Sequence, residues 1–177
     1  DREPAFEAAD LLLVTVDTTR WYRHKDGEVE AAQIDRVSRR LGGAKAAQVR
    51  IVVAHHPVFA LEASDETNVL HGHAAAIRAW ASAGADLIVG GHIHLPYVRA
   101  LREHYPDLAR KVYVVQAGTA VSSRVRHEAG NSVNVFRIPA VQPPRRCVVE
   151  RWDYVPRDQG FAQASRELLA QVTIGEV

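Results

Sequence analysis

Methionine is absent from this chain and cysteine appears once, as Cys147. A lone thiol excludes any internal disulfide, so nothing ties the protein to an oxidising compartment and a cytoplasmic location is the expectation. The chain begins at Asp1, so a leader or an upstream segment outside the sequence is compatible with the missing methionine. Long apolar runs are lacking too: none approaches the roughly 20 residues that cross a bilayer as a helix. An excess of one charge is also missing, since 22 Lys and Arg offset 21 Asp and Glu to leave a formal net charge of +1. That balance offers no footprint for nucleic acid or for an acidic membrane surface. Repeats, low-complexity tracts and Pro/Gly/Ser-rich linkers do not occur. At 47% hydrophobic and 24% charged, the composition suits a globular chain able to bury a core, read as one domain over 1–177.

Strand and helix patterns alternate through the first half. Ala9 to Val16 is an apolar, partly β-branched run closed by Asp17-Thr18-Thr19. After a turn at Lys25-Asp26-Gly27, the spacing of Ile34, Val37 and Leu41 predicts a helix from Glu28 to Leu41, stopped by Gly42-Gly43. Gln48 to Ala54 predicts a second buried strand, followed by a loop over Val58 to Val69 and a helix from Leu70 to Ala83. Asp86 to Val89 predicts a third strand. In the second half the pattern predicts a short helix at Leu101–Arg110, interrupted near Pro106, and strands at Val112–Val115, Ser132–Ile138 and Arg146–Tyr154. A terminal helix is expected over Phe161–Val172. The fold class is therefore α/β, a layered sandwich with a mixed sheet.

The chemistry collects where these strands stop. Gln48–Ala54 delivers His55-His56-Pro57, and Asp86–Val89 ends in Gly90-Gly91 and delivers His92-Ile93-His94. Glycine lets a strand end abruptly, and an extended His-x-His would put both imidazoles on one side of the chain. Loop, helix and strand fill the stretch from His55 to His92, the length of a crossover that returns the chain to the same sheet edge. Ligands gather at the carboxyl ends of strands in such sheets, so His55, His92 and His94 can share one cleft. Converging neutral imidazoles suit a borderline divalent metal. His71-Gly72-His73 repeats the pattern at a helix start, where alternate side chains diverge, and is read as cap or loop, with substrate contact as the alternative. His24, His104 and His127 sit in polar surroundings and are expected to be solvated. Cys147 lies among apolar neighbours and reads as buried filler.

Taken together, Ile51-Val52-Val53-Ala54-His55-His56-Pro57 and Gly90-Gly91-His92-Ile93-His94 resemble the last two blocks of the calcineurin-like metallophosphoesterases. Asp17-Thr18, Gly27 and Gln33-Ile34 are similar to the preceding stretch in cyclic-nucleotide-phosphodiesterase-like members. Gly118 to Arg124 and Asn131 to Asn134 look like the strand pair that follows in bacterial members. The resemblance implies an α-β-β-α sandwich of the metallophosphoesterase type with mixed sheets, and hydrolysis of phosphodiesters or phosphomonoesters at a dinuclear centre. It implies that His55 and His92 bind one metal and His94 the other, the pair of divalent ions being Mn, Fe or Zn. His56 fills the variable position, as a supporting residue or a substrate contact. Arg124 and Arg126 are candidates for phosphate contact, with a solvated or oligomer-facing pair as the alternative. The expected partner is a small-molecule phosphoester, with no nucleic acid or membrane; homo-oligomerisation stays open.

The family's earlier blocks, Asp-x-His, Gly-Asp-x-x-Asp and Gly-Asn-His-Asp/Glu, are missing before His55. Three imidazoles cannot hold two cations without an anionic bridge. The expectation is that the N-terminal half, on the order of 100 residues, lies upstream, on another chain, or has been lost. Two rivals stand beside the hydrolase: a non-catalytic interaction module that keeps the fold, and a mononuclear three-histidine site.

Overall fold

The structure is a computed structural model that describes residues 3–124, 129–139 and 146–170. Strand β1 (Ala5–Glu7) turns back antiparallel onto β2 (Leu11–Val16), which leads through an irregular segment into helix α1 (Ala31–Gly42). Strand β3 (Val49–Ala54), helix α2 (His73–Ser82) and strand β4 (Leu87–Gly90) follow, then β5 (Tyr97–Ala100) and β6 (Tyr113–Gln116). They form one mixed sheet in the order β1-β2-β3-β4-β6-β5, with β2, β3, β4 and β6 parallel and both edges antiparallel. The helices are crossovers between parallel neighbours, as a parallel pair requires. Gln33, Ile34, Val37 and Leu41 turn one stripe of α1 inward, and the Gln33 side chain accepts the Glu30 N–H at the helix start.

Strands β7 (Ser132–Arg137), β8 (Arg146–Val155) and β9 (Gly160–Ala170) make a second, wholly antiparallel sheet. Alternation along the central strands feeds two cores at once. Val52, Ile88 and Val114 face the helices, where Trp80 and Ile77 are fully buried. Ile51, Leu87 and Val115 face the second sheet and meet Cys147, Val149 and Leu169. Burial pushes the Cys147 thiol up to about 12, so it is packing rather than a nucleophile. The layering is thus helix–sheet–sheet; among the described residues there is no outer helical layer, and only the larger sheet is mixed.

Three local expectations change. Where a terminal helix was expected, Gly160–Ala170 is strand β9, paired along its length with β8. Its Ala, Glu, Leu and Gln content favours helix, but cross-strand pairing outweighs so weak a preference. The stretch Leu101–Arg110 gives only a 3₁₀ turn at Leu101–Glu103, and the loop after β3 holds another at Ala63–Asn68. Strands β1 and β5 lie at the sheet edges and are too short to leave an alternating pattern. Among the described residues no helix is long and apolar enough to cross a membrane.

Candidate metal centre

Strands β3 and β4 run parallel with Val53 beside Val89, so the residues after each strand emerge side by side. The Gly91 N–H donates to the His55 carbonyl at 3.0 Å and holds the two exits together. His55 Nε2 then stands 3.1 Å from His92 Nδ1, with ring centroids 4.9 Å apart. The buried His56 ring lies 4.9 Å from His55 and 4.7 Å from His92. One nitrogen from each of these three imidazoles falls within 4.8 Å of the others.

The convergence does not come from an extended His-x-His. His92 and His94 have φ of 72° and 58°, in the left-handed region on either side of Ile93. Each such residue costs on the order of 1–2 kcal/mol, a cost that functional sites often carry. The double bend drives Ile93 into the core at 3% exposure and anchors the loop there. His94 Nδ1 meets the Arg124 carbonyl at 2.8 Å. A carbonyl only accepts, so Nδ1 is the donor, and Nε2 is the nitrogen left to face a ligand.

His55, His92 and His94 line a single cavity of about 390 Å³ with Asn68, Ile93 and Arg124. His94 is on its wall but outside the tighter cluster of three. His56, expected as a supporting residue or a substrate contact, is 1% exposed and absent from that wall. Arg124 is on the wall; Arg126 and His127 lie outside the described residues. His73 begins α2 and its Nδ1 faces the Leu70 carbonyl, while the His71 carbonyl accepts the Val29 N–H. His104 lies against Phe59, with centroids 4.4 Å apart. The sequence reading gave four contributors no role at the site. Thr18 and Gly27 touch His56, Asn68 reaches the cavity from a loop, and the buried Gln116 side chain donates to the Gly91 carbonyl. Thr18 and Gly27 were visible as a polar strand end and a turn glycine; Asn68 left no signal.

Burial, followed by the neighbouring His92 and His55 imidazoles, lowers the His56 pKa from 6.5 to about 4. Burial and then His55 lower His92 as well. Both therefore favour the neutral form that binds metals. The unfolded chain takes up its His56 proton near the ordinary value while the folded chain resists until pH is near 4. Stability from this group is thus complete above about pH 6.5 and is lost as pH falls toward 4. The expected loss is about 1–3 kcal/mol, the lower figure allowing for water in the adjoining cavity. Urea unfolding at about pH 7.5 and about pH 5 measures it, and His56→Asn, which keeps a polar group toward Thr18, should flatten the dependence. An equally steep loss in that variant would assign the effect to other groups.

The donor set fits a divalent ion. Two nitrogens each 2.0–2.1 Å from one zinc in tetrahedral array would lie about 3.3 Å apart, close to the 3.1 Å between His55 Nε2 and His92 Nδ1. His94 adds the arrangement usual for a ligating histidine, with one N–H given to a carbonyl and the other nitrogen free.

No protein-family model matches the sequence, and no curated protein matches it. Solved structures do. GAP50, described as the anchor in the inner membrane complex of Plasmodium, is 13% identical with a TM-score of 0.59 over 96% of this chain and 53% of that one. This chain therefore spans about half of that protein's length. A Staphylococcus aureus protein described as a 5'-nucleotidase is 13% identical with a TM-score of 0.43, covering 96% of this chain and 29% of its own. Entamoeba histolytica Vps29, in a zinc complex, is 11% identical with a TM-score of 0.34 and covers 90% of this chain and 99% of its own. At these identities the likeness concerns the fold alone. The chain has a mixed α/β fold shared with GAP50, and its strand ends gather histidines that can hold a metal ion.

Proposed function

We propose that this chain supplies the histidine ligands of a metal-dependent phosphoester hydrolase acting on phosphodiesters or phosphomonoesters through two divalent ions, Mn, Fe or Zn. One observation carries the reading: His55 and His92 present nitrogens 3.1 Å apart in a cavity that His94 also lines. His55 and His92 hold one ion and His94 the other, with an anionic bridge contributed from outside the 177 residues. Such ions lower the pKa of water in the site and offset charge developing on phosphoryl oxygens. The chain's own contribution is to hold its imidazoles in place, with burial keeping His92 toward the neutral form. Arg124 on the cavity wall offers a guanidinium fork to the phosphate of a small-molecule substrate.

A second reading, an interaction module that keeps the fold without the chemistry, draws on the likeness to GAP50 with its description as an anchor. Turnover separates the two. The full-length gene product, loaded with Mn²⁺, is expected to hydrolyse an aryl phosphodiester and to stop when a chelator is added. Two equivalents of metal per chain support the dinuclear reading, and one equivalent a mononuclear three-histidine site. A metal-loaded protein without turnover on mono- or diesters would refute the hydrolase.

A further inference from the structure

His56 is more completely buried than the histidines that line the cavity, and it takes no part in that wall. It is nonetheless in contact with both members of the close pair, its ring edge-on to His55 and tilted 52° against His92. Its Nδ1 lies 2.9 Å from Thr18 Oγ1, and Thr18 is itself fully buried at the end of β2. The Thr18 hydroxyl also lies 3.5 Å from the His56 main-chain N–H, so it addresses both ends of the residue. The Nδ1–Cε1 edge of the ring faces Gly27, where a Cβ would come within 2.5 Å of both atoms. Thr18 and Gly27 are joined in turn, because the Thr18 carbonyl accepts the Glu28 N–H at 2.9 Å.

An aliphatic core residue would fill this space without needing a buried hydroxyl aimed at it or a glycine beside it. His56 stands off the cavity wall, with one ring nitrogen within 4.8 Å of those of His55 and His92. We propose that His56 is a positioning residue: held by Thr18 just past β2 and by Gly27 in the turn that follows, its imidazole braces His55 and His92 so that their nitrogens stay at metal-binding separation. The role rests on the metal-site reading above and concerns only how the first ion's two imidazoles are kept in place. In effect the β2 end sets the geometry of a pair carried by the exits of β3 and β4.

The test measures Zn²⁺ affinity of the full-length gene product by competition with a chelating dye, alongside the melting temperature of the metal-free protein. Thr18→Val keeps the branched volume and removes the hydroxyl, and is expected to weaken Zn²⁺ binding ~10- to 100-fold, the usual effect of losing a supporting contact behind a ligand. Thr18→Ser restores the hydroxyl and should recover most of the affinity. His56→Phe, the second arm, keeps a ring of similar bulk without the nitrogen and should weaken binding by a similar factor. A purely structural role predicts lower melting temperatures with Zn²⁺ affinity unchanged in the folded protein, and that result would overturn the inference. Failure of the unsubstituted chain to bind Zn²⁺ would instead remove the metal site itself, and this role with it.

Discussion

Replacing His92 with alanine is expected to abolish metal-dependent phosphoester turnover, a loss of at least ~10³-fold in kcat/KM or about 4 kcal/mol of transition-state stabilisation. The side chain supplies one of two nitrogens 3.1 Å apart, so its loss leaves His55 as the one close donor facing the cavity. Alanine at φ 72° also keeps a strained backbone without a compensating ligand. His92→Asn separates the two effects, because asparagine tolerates the left-handed region but offers a poor metal ligand. Both variants should therefore fall together in turnover and in Zn²⁺ affinity, with only the alanine variant markedly less stable. Turnover within about tenfold of the parent in either variant would remove His92 from the metal centre.

The second large effect is structural and reaches the site from below. Gly27 has φ +56°, and an added Cβ would lie 2.3 Å from His56 Nδ1 and 2.4 Å from the Thr18 carbonyl oxygen. The imidazole is boxed in and the carbonyl is main chain, so neither can yield cheaply. Gly27→Ala should cost about 3–5 kcal/mol, combining about 1–2 for the left-handed backbone with the rest for overpacking. Gly42 is the control: nothing lies within 4 Å of its Cβ position at the end of α1, and alanine there should be neutral or stabilising by up to about 1 kcal/mol. Denaturant unfolding of both variants checks the contrast. If Gly27→Ala unfolds at the parental midpoint, the packing of the 24–28 turn on His56 is not as tight as the geometry requires.

How far the chain could be read in advance varied with the range of the interaction. Buried parallel strands carry unbroken apolar runs, so Leu11–Val16, Val49–Ala54 and Leu87–Gly90 stood out, as did the histidines after them. The amphipathic stripe of α1 was equally plain. Strand β9 was not, since its helix-forming composition is overruled only by β8 alongside. The bend at His92 and His94 was also hidden: no residue between them advertises a left-handed turn, and the burial of Ile93 that stabilises it belongs to the assembled core.

From residue order alone came the α/β class, the two strand exits and the imidazoles that leave them, because hydrophobic runs and glycine stops act over a few neighbours. Only the folded chain decided that His55 and His92 form the close pair, that His94 stands apart with its Nδ1–H donated to the Arg124 carbonyl, and that His56 faces Thr18 rather than the cavity. Those relations join groups 30 to 38 positions apart. Distances of a few ångströms between such groups are set by sheet register and packing, which no local pattern encodes.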